Sequence, residues 1–164
     1  DKPMVPSEFG LCEPAFSGGD ARRNEIFLEK MTCYRKYPNI AGTIYFCLND
    51  YRTQMGEEGE GKFCQRVHGS TDLCGNPTPS YYTVSEECAP VILEKEGSQI
   101  KITCRNNLPR YTVQGYSLLV LDKENKKEIR IPKLLPGMSW TTILEKGDVA
   151  VRIVRPNGEV VVEK

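Results

Sequence analysis

The chain has 164 residues, enough for one large domain or two small ones, and its 22 basic residues balance 22 acidic ones. A balanced charge lacks the excess of Lys and Arg that is typical of proteins that bind nucleic acid or anionic membranes, so we expect neither partner. No run approaches the roughly 18 apolar residues of a membrane-spanning helix, so no membrane span is predicted.

Seven cysteines are the most informative feature of the composition. Neighbouring cysteines lie at least ten positions apart and the chain has one histidine, so the close ligand pairs that are typical of zinc sites are missing. We therefore expect no metal and no cofactor. Disulfides explain the wide spacing and predict a protein that is secreted or exposed at the cell surface; buried free thiols are the alternative. The disulfide candidates are Cys12, Cys33, Cys47, Cys64, Cys74, Cys88 and Cys104.

Residues 1–89 are predicted to form a disulfide-rich region that begins with an extended arm, because DKPMVP has two prolines and no periodicity. A first helix is predicted over residues 20–37, with Asp20 as its N-cap and Pro38 as its stop. Apolar residues fall near one face of this helix at helical spacing: Ile26, Phe27, Met31, Cys33, Tyr34 and Tyr37.

A second helix is predicted over residues 40–55, ending at Gly56. Its apolar positions follow a helical repeat: Ile40, Ile44, Cys47, Leu48, Tyr51 and Met55. Two helices with so short a connection should form an antiparallel hairpin. Cys33 and Cys47 lie on the facing sides of this hairpin and are candidates for a disulfide.

The stretch from Gly56 to Lys62 matches most of a phosphate-binding loop, G-x-x-x-x-G-K. Phe63 stands in the place of the magnesium-binding hydroxyl, and three glutamates inside the loop would repel phosphate. The stretch also follows a predicted helix, whereas the motif must follow a strand. We therefore predict an acidic turn, and residues 57–87 as loops.

Residues 90–164 change character and predict an antiparallel β-sandwich of about seven short strands. QIKITCR alternates polar and apolar residues, and SWTTILE, VAVRIVR and EVVVEK continue as short apolar strands. Asn157-Gly158 is a strong signal for a two-residue hairpin, since both residues tolerate positive φ. The fold class predicted for the whole chain is α+β.

The run ITCRNNLPRYTVQGYSLLVLD, together with IRIPKLLPGMSWTTIL, resembles the Ig-like and fibronectin-III-like modules of secreted and cell-surface proteins, including archaeal and bacterial ones. This resemblance covers residues 91–164 and implies a two-sheet sandwich. Cys104 has no partner cysteine in VAVRIVR, and Trp140 lies too late to be the core tryptophan of antibody domains. The antibody-type disulfide is therefore absent, and Cys88 is the candidate partner of Cys104.

Catalytic residues are scarce in the sequence. His68 has Ser70 and Asp72 as near neighbours, but a catalytic triad assembles from distant segments of a rigid scaffold, so this local cluster is weak evidence. A hydrolase that uses His68 is the least favoured of three hypotheses, and we predict that the chain is not an enzyme.

The favoured hypothesis is a structural subunit of an extracellular filament or surface assembly, which binds copies of itself by exchanging strands or arms and is reinforced by disulfides. The residues proposed for these contacts are Pro3, Met4, Val5, Val160, Val161 and Val162. They belong to the N-terminal arm and to a C-terminal strand expected at a sheet edge. The alternative is a monomeric secreted recognition protein, such as an effector, inhibitor or receptor ectodomain, that binds a partner protein through the 57–87 loops.

Overall fold

The structure, a computed structural model, describes residues 2–10, 18–57, 64–123 and 125–164. The chain forms two compact units, Asp1–Glu87 (unit 1) and Cys88–Lys164 (unit 2). Cys12 and most of the predicted acidic turn lie outside the described residues.

The described residues contain both helices and strands, consistent with the predicted α+β class: two helices and nine strands in three antiparallel sheets. Neither of these helices is long and apolar enough to cross a membrane. The elements are α1 (Gly19–Tyr34), β1 (Tyr51–Glu57), β2 (Gln65–Arg66), α2 (Pro79–Glu87), β3 (Val91–Glu96), β4 (Gln99–Cys104), β5 (Ser117–Asp122), β6 (Asn125–Arg130), β7 (Ser139–Ile143), β8 (Ala150–Val154) and β9 (Val160–Glu163).

Helix α1 confirms the first predicted helix but not its cap or all of its buried face. Gly18, with φ of 102°, is the N-cap, and the predicted cap Asp20 lies in the first turn. The buried stripe is Arg23, Phe27 and Met31, spaced four residues apart so that they share one face. Cys33 and Tyr37, predicted on the inward side, are exposed.

The predicted second helix is wrong. Residues 40–46 instead run parallel to residues 4–9, with bridges Met4–Ile40 and Phe9–Tyr45, and Tyr51 begins strand β1. Ile44 and Leu48, two residues of the supposed apolar stripe, are 56% and 59% exposed. Their helical spacing was coincidental, because non-local backbone pairing satisfies this segment and no helical face is buried.

The prediction that residues 57–87 are loops is also wrong in part. Strand β2 pairs with β1, and Pro79 opens helix α2, as proline commonly does at the first helical position. The backbone N–H of Ser80 at the start of α2 donates to the Asp20 carboxylate of α1 at 2.8 Å. The local sequence does not predict this cap of α2, because the capping carboxylate comes from a residue sixty positions earlier in the chain.

Unit 2 contains two antiparallel sheets, with strand orders β3-β4-β7 and β6-β5-β8-β9. Alternate residues of both sheets enter one buried cluster, because side chains on successive strand positions point to opposite faces. Ile100, Ile102, Leu118, Val151 and Ile153 in this cluster have no exposed surface. The chain turns between β8 and β9 at Asn157-Gly158, as predicted, but only Gly158 has a positive φ, 87°, and Arg155 bonds to Glu159 across the turn, so it is not the predicted two-residue hairpin.

Candidate functional site

Unit 1 contains two short segments that run parallel through two isolated bridges, and α1 lies between them in the chain, so their order is analogous to that of a β-α-β unit. Residues 4–9 and 39–46 are joined by four backbone hydrogen bonds, and α1 makes the crossover that parallel strands require. Rings of Phe9, Phe27, Tyr34 and Tyr45 pack at centroid distances of 5.3–5.9 Å between the strands and α1. In open α/β layers, ligands bind at the carboxyl ends of the strands, so residues 8–10 and 46–50 are the place to search for a site.

Glu8 lies at this carboxyl end and has an unusual backbone conformation. Its φ is 54°, in the left-handed region, and its side chain is exposed. A non-glycine residue in this region costs about 1–2 kcal/mol, and such strain concentrates at functional sites. Its carboxylate is therefore presented to solvent at a position where ligands bind in this type of layer.

The backbones of the two segments come very close beside Glu8. A Cβ on Gly10 would lie 1.7 Å from the carbonyl oxygen of Phe46, so only glycine fits there. The Phe46 ring is in edge contact with Tyr51 and His68, with ring centroids 5.8 Å apart in both pairs. Tyr51 and His68 also line a shallow open depression with Thr53, Gln54 and Arg66. The carboxyl ends of the two segments thus carry an exposed glutamate on the first segment and, on and after the second, a group of aromatic rings.

Two buried charged side chains hold the segment that carries His68. The Asp50 carboxylate accepts hydrogen bonds from the Gly69 N–H at 2.8 Å and the Gln65 amide at 2.9 Å. The guanidinium of Arg23 donates to the carbonyls of Gly69 at 2.6 Å and Val67 at 3.1 Å. Asp50 is already committed to these bonds, so its role is structural.

The structure does not assemble the triad considered around His68. The Ser70 hydroxyl donates to the Leu48 carbonyl at 3.3 Å. The Asp72 carboxylate accepts hydrogen bonds from the Asn76 side chain and from the N–H groups of Cys74 and Asn76, and the Asn76 amide is the main cause of its lowered pKa. Both groups are engaged locally, and His68 packs between rings instead.

No disulfide joins any two of the six described cysteines. The proposed pairs Cys33–Cys47 and Cys88–Cys104 are therefore not formed in this structure. Cys33 is on an exposed part of α1, while Cys47 donates to the carbonyl of Asn49 at 3.1 Å. Cys104 is part of the core of unit 2, where its thiol donates to the Tyr111 carbonyl at 3.3 Å and burial raises its pKa.

The residues proposed for assembly have mixed environments. Met4 and Val5 are about half exposed, but the Met4 backbone bonds to Asn39 and Ala41 of the same chain, so this part of the arm packs on its own unit. Pro3 is exposed. Strand β9 lies at a sheet edge, as predicted, with Val160 exposed and Val161 and Val162 buried. Among the described residues, no cluster of His, Cys, Asp and Glu has the arrangement of a metal site.

Sequence reasoning missed Glu8. A lone glutamate in an apparent arm carries no catalytic or binding pattern, and a positive φ is not expected at a glutamate from the local sequence. The only local signals were Pro6 and Gly10, which suit an extended segment and a close backbone approach.

Comparison with known proteins adds little to this description. No family model and no curated protein matches the chain. Among solved structures, the chain is similar to a β-D-mannosidase from Dictyoglomus thermophilum, with 15% identity and a TM-score of 0.35 over 87% of this chain and 18% of that one. The chain thus spans less than a fifth of that protein, and a likeness at this level supports no statement about fold or function.

Proposed function

We propose that unit 1 binds a polar small molecule at the carboxyl end of its parallel segments, with Glu8 as the principal recognition group. The carrying observation is the left-handed φ of 54° at Glu8, in the region where α/β layers bind ligands. A carboxylate accepts hydrogen bonds, so the ligand is one that donates them, either a neutral polyhydroxylated molecule or an amine. The rings of Phe46, Tyr51 and His68, which contact one another on and after the second segment, are the aromatic groups that we propose for contact with the apolar face of this ligand.

A glutamate carboxylate can also act as a general base or nucleophile. The non-catalytic character predicted from sequence remains a prediction, and Glu8 is the residue whose chemistry would overturn it. The same variants therefore serve for binding and for turnover.

The test measures binding of a panel of neutral sugars and a matched panel of amines by calorimetry. Glu8→Gln keeps the size and backbone of the residue but removes its charge, and should weaken binding by about tenfold or more. Glu86→Gln, an exposed carboxylate of α2, is the control and should leave affinity unchanged. If only one of the two panels binds, that panel identifies the chemical class of the ligand. Equal affinity in Glu8→Gln and wild type, or no binding in either panel, would refute the proposal.

A second measurement separates function from folding at the same residue. Glycine adopts positive φ without strain, so Glu8→Gly should be more stable than Ser7→Gly by about 1–2 kcal/mol. Ser7 is the matched neighbour because it is exposed and does not have a positive φ. If both variants lose stability equally, Glu8 is not strained and the main argument for the site fails.

For unit 2 we infer an Ig-like module, which the strand pairing supports. Lettered in Ig fashion, β3, β4 and β7 correspond to A, B and E, while β6, β5, β8 and β9 correspond to C′, C, F and G. Relative to constant-type domains, C′ is present, and the described residues of unit 2 contain no strand D beside β7. Such modules serve many functions, so this inference concerns architecture only.

Assembly into an extracellular filament is the second candidate, favoured by the location of β9 at a sheet edge. That strand is short, ends with Glu163 and is flanked by Glu159 and Lys164, and charges of this kind discourage open-ended strand addition. Light scattering without reductant tests the candidate, and a single species of 18.5 kDa would exclude it.

Thiol titration of the denatured, unreduced protein tests secretion, since seven reactive thiols would contradict the disulfide prediction.

A further inference from the structure

The four edge strands of unit 2 are not equivalent. Strands β3 and β7 are the edges of one sheet, and β6 and β9 are the edges of the other. Strand β3 contacts β9, so these two edges lie next to each other on one side of the unit. The remaining two edges, β6 and β7, differ in how their backbone groups are protected.

Hydrogen-bond alternation identifies the backbone groups that point outward from β7. Antiparallel pairs alternate between residues that bond to the partner strand and residues whose N–H and C=O point away. Leu144 donates to Ser98 at 2.8 Å and Met138 accepts from Cys104 at 2.9 Å, so the even-numbered positions bond to β4. The outward positions of β7 are therefore Ser139, Thr141 and Ile143.

The same argument applies to β6. Ile131 donates to Tyr116 at 2.9 Å, which makes the outward positions Lys126, Glu128 and Arg130. Each carries a charge, the usual protection of an edge against pairing with another strand. Strand β7 carries no charge at any position, and its Ile143 is 77% exposed. Of the two edges, β7 is the one left open.

An apolar cleft lies beside the end of β7. It has a volume of about 260 Å³, and its apolar lining comes from Val120, Ile129, Leu144 and Val149. A cavity of about 150 Å³ accommodates benzene, so this cleft has room for one large apolar side chain.

Two ion pairs border the cleft and leave its rim without net charge. Lys127 contacts Glu145 at 2.8 Å, and Lys146 contacts Asp122 at 2.6 Å. All four side chains line the cleft. Each charged side chain at the rim is already paired with one of opposite charge, so the cleft favours an uncharged peptide over a charged one.

We propose that the outer edge of β7 binds an extended, uncharged peptide segment of a partner protein, which adds to the three-stranded sheet and inserts one apolar side chain into the cleft. Backbone hydrogen bonds to Ser139, Thr141 and Ile143 supply affinity, and the cleft supplies specificity, as in other cases of strand addition. The segment takes the place next to β7 that strand D takes in constant-type Ig domains.

The experiment selects random twelve-residue peptides, displayed on phage, on the immobilised full chain. Enriched peptides should be uncharged, should alternate apolar residues, and should change the fluorescence of Trp140, the chain's single tryptophan and a residue of β7. Thr141→Pro removes an outward N–H and should weaken their binding by about tenfold or more. Glu128→Pro, at the matched outward position of β6, should leave binding unchanged.

Ile143→Glu is the second variant, because the exposed side chain tolerates replacement and a charge on this edge should also abolish binding. It decides the question if Thr141→Pro does not fold. The proposal is overturned if no alternating sequence is enriched, or if the enriched peptides bind Ile143→Glu as tightly as wild type. It is also overturned if light scattering finds dimers that these peptides dissociate, since the edge would then be filled by a second copy of the chain.

Discussion

Replacement of Arg23 tests the packing of unit 1 most directly. This side chain is 2% exposed and its guanidinium donates to the Asp20 carboxylate at 3.0 Å and to the carbonyls of Gly69 and Val67. Arg23→Leu keeps apolar bulk but leaves these acceptors without their charged donor. Removing one partner of a buried ion pair costs about 3–5 kcal/mol.

The neighbouring Arg22→Leu is the matched control. Arg22 makes an exposed ion pair with Glu25, and such surface pairs contribute little to stability because water screens the charges. Urea unfolding followed by circular dichroism at 222 nm reports on unit 1, because α1 and α2 both belong to it. With a denaturant slope of about 1.5 kcal/mol/M, Arg23→Leu should lower the midpoint by roughly 2–3 M.

Trp140 fluorescence, which reports on unit 2, should not change its midpoint in either variant. Equal circular-dichroism midpoints for Arg22→Leu and Arg23→Leu would refute the reasoning, because the buried bonds would then contribute no more than a surface pair.

Two further predictions concern unit 2. Ile102→Ala should destabilise it by about 2–5 kcal/mol, because Ile102 has no exposed surface. Ile92 is 41% exposed, so Ile92→Ala should destabilise it far less. Urea unfolding followed by Trp140 fluorescence measures both losses, and similar values would contradict the assigned core. Burial, with a hydrogen bond to Tyr116, raises the pKa of Tyr111 to about 12 from its ordinary value near 10, so the folded state holds this proton more tightly than the unfolded chain. Stability should therefore fall as pH rises from about 10 to 12, and less steeply in Tyr111→Phe; parallel pH profiles would disprove this role.

The β-rich half of the chain was predictable because its strands are set by local signals. Alternating apolar residues define which face is buried, and residues such as Asn157-Gly158 define where the chain turns. Strands β4, β7, β8 and β9 therefore agree with the predicted runs. Neither signal depends on distant parts of the chain. Balanced charge likewise follows from composition alone.

Unit 1 was predicted less well, because its structure depends on pairing between distant residues. The apolar spacing from Ile40 to Tyr51 fits a helix locally, but hydrogen bonds to residues 4–9 and 70–71 make this segment extended. From the sequence alone, Arg23 would be expected on the exposed face of its helix. Its burial is explained by hydrogen bonds to two backbone carbonyls that are more than forty residues away. The local sequence determines which secondary structure each segment favours, and backbone hydrogen bonds between distant segments determine which of these structures forms in the folded protein.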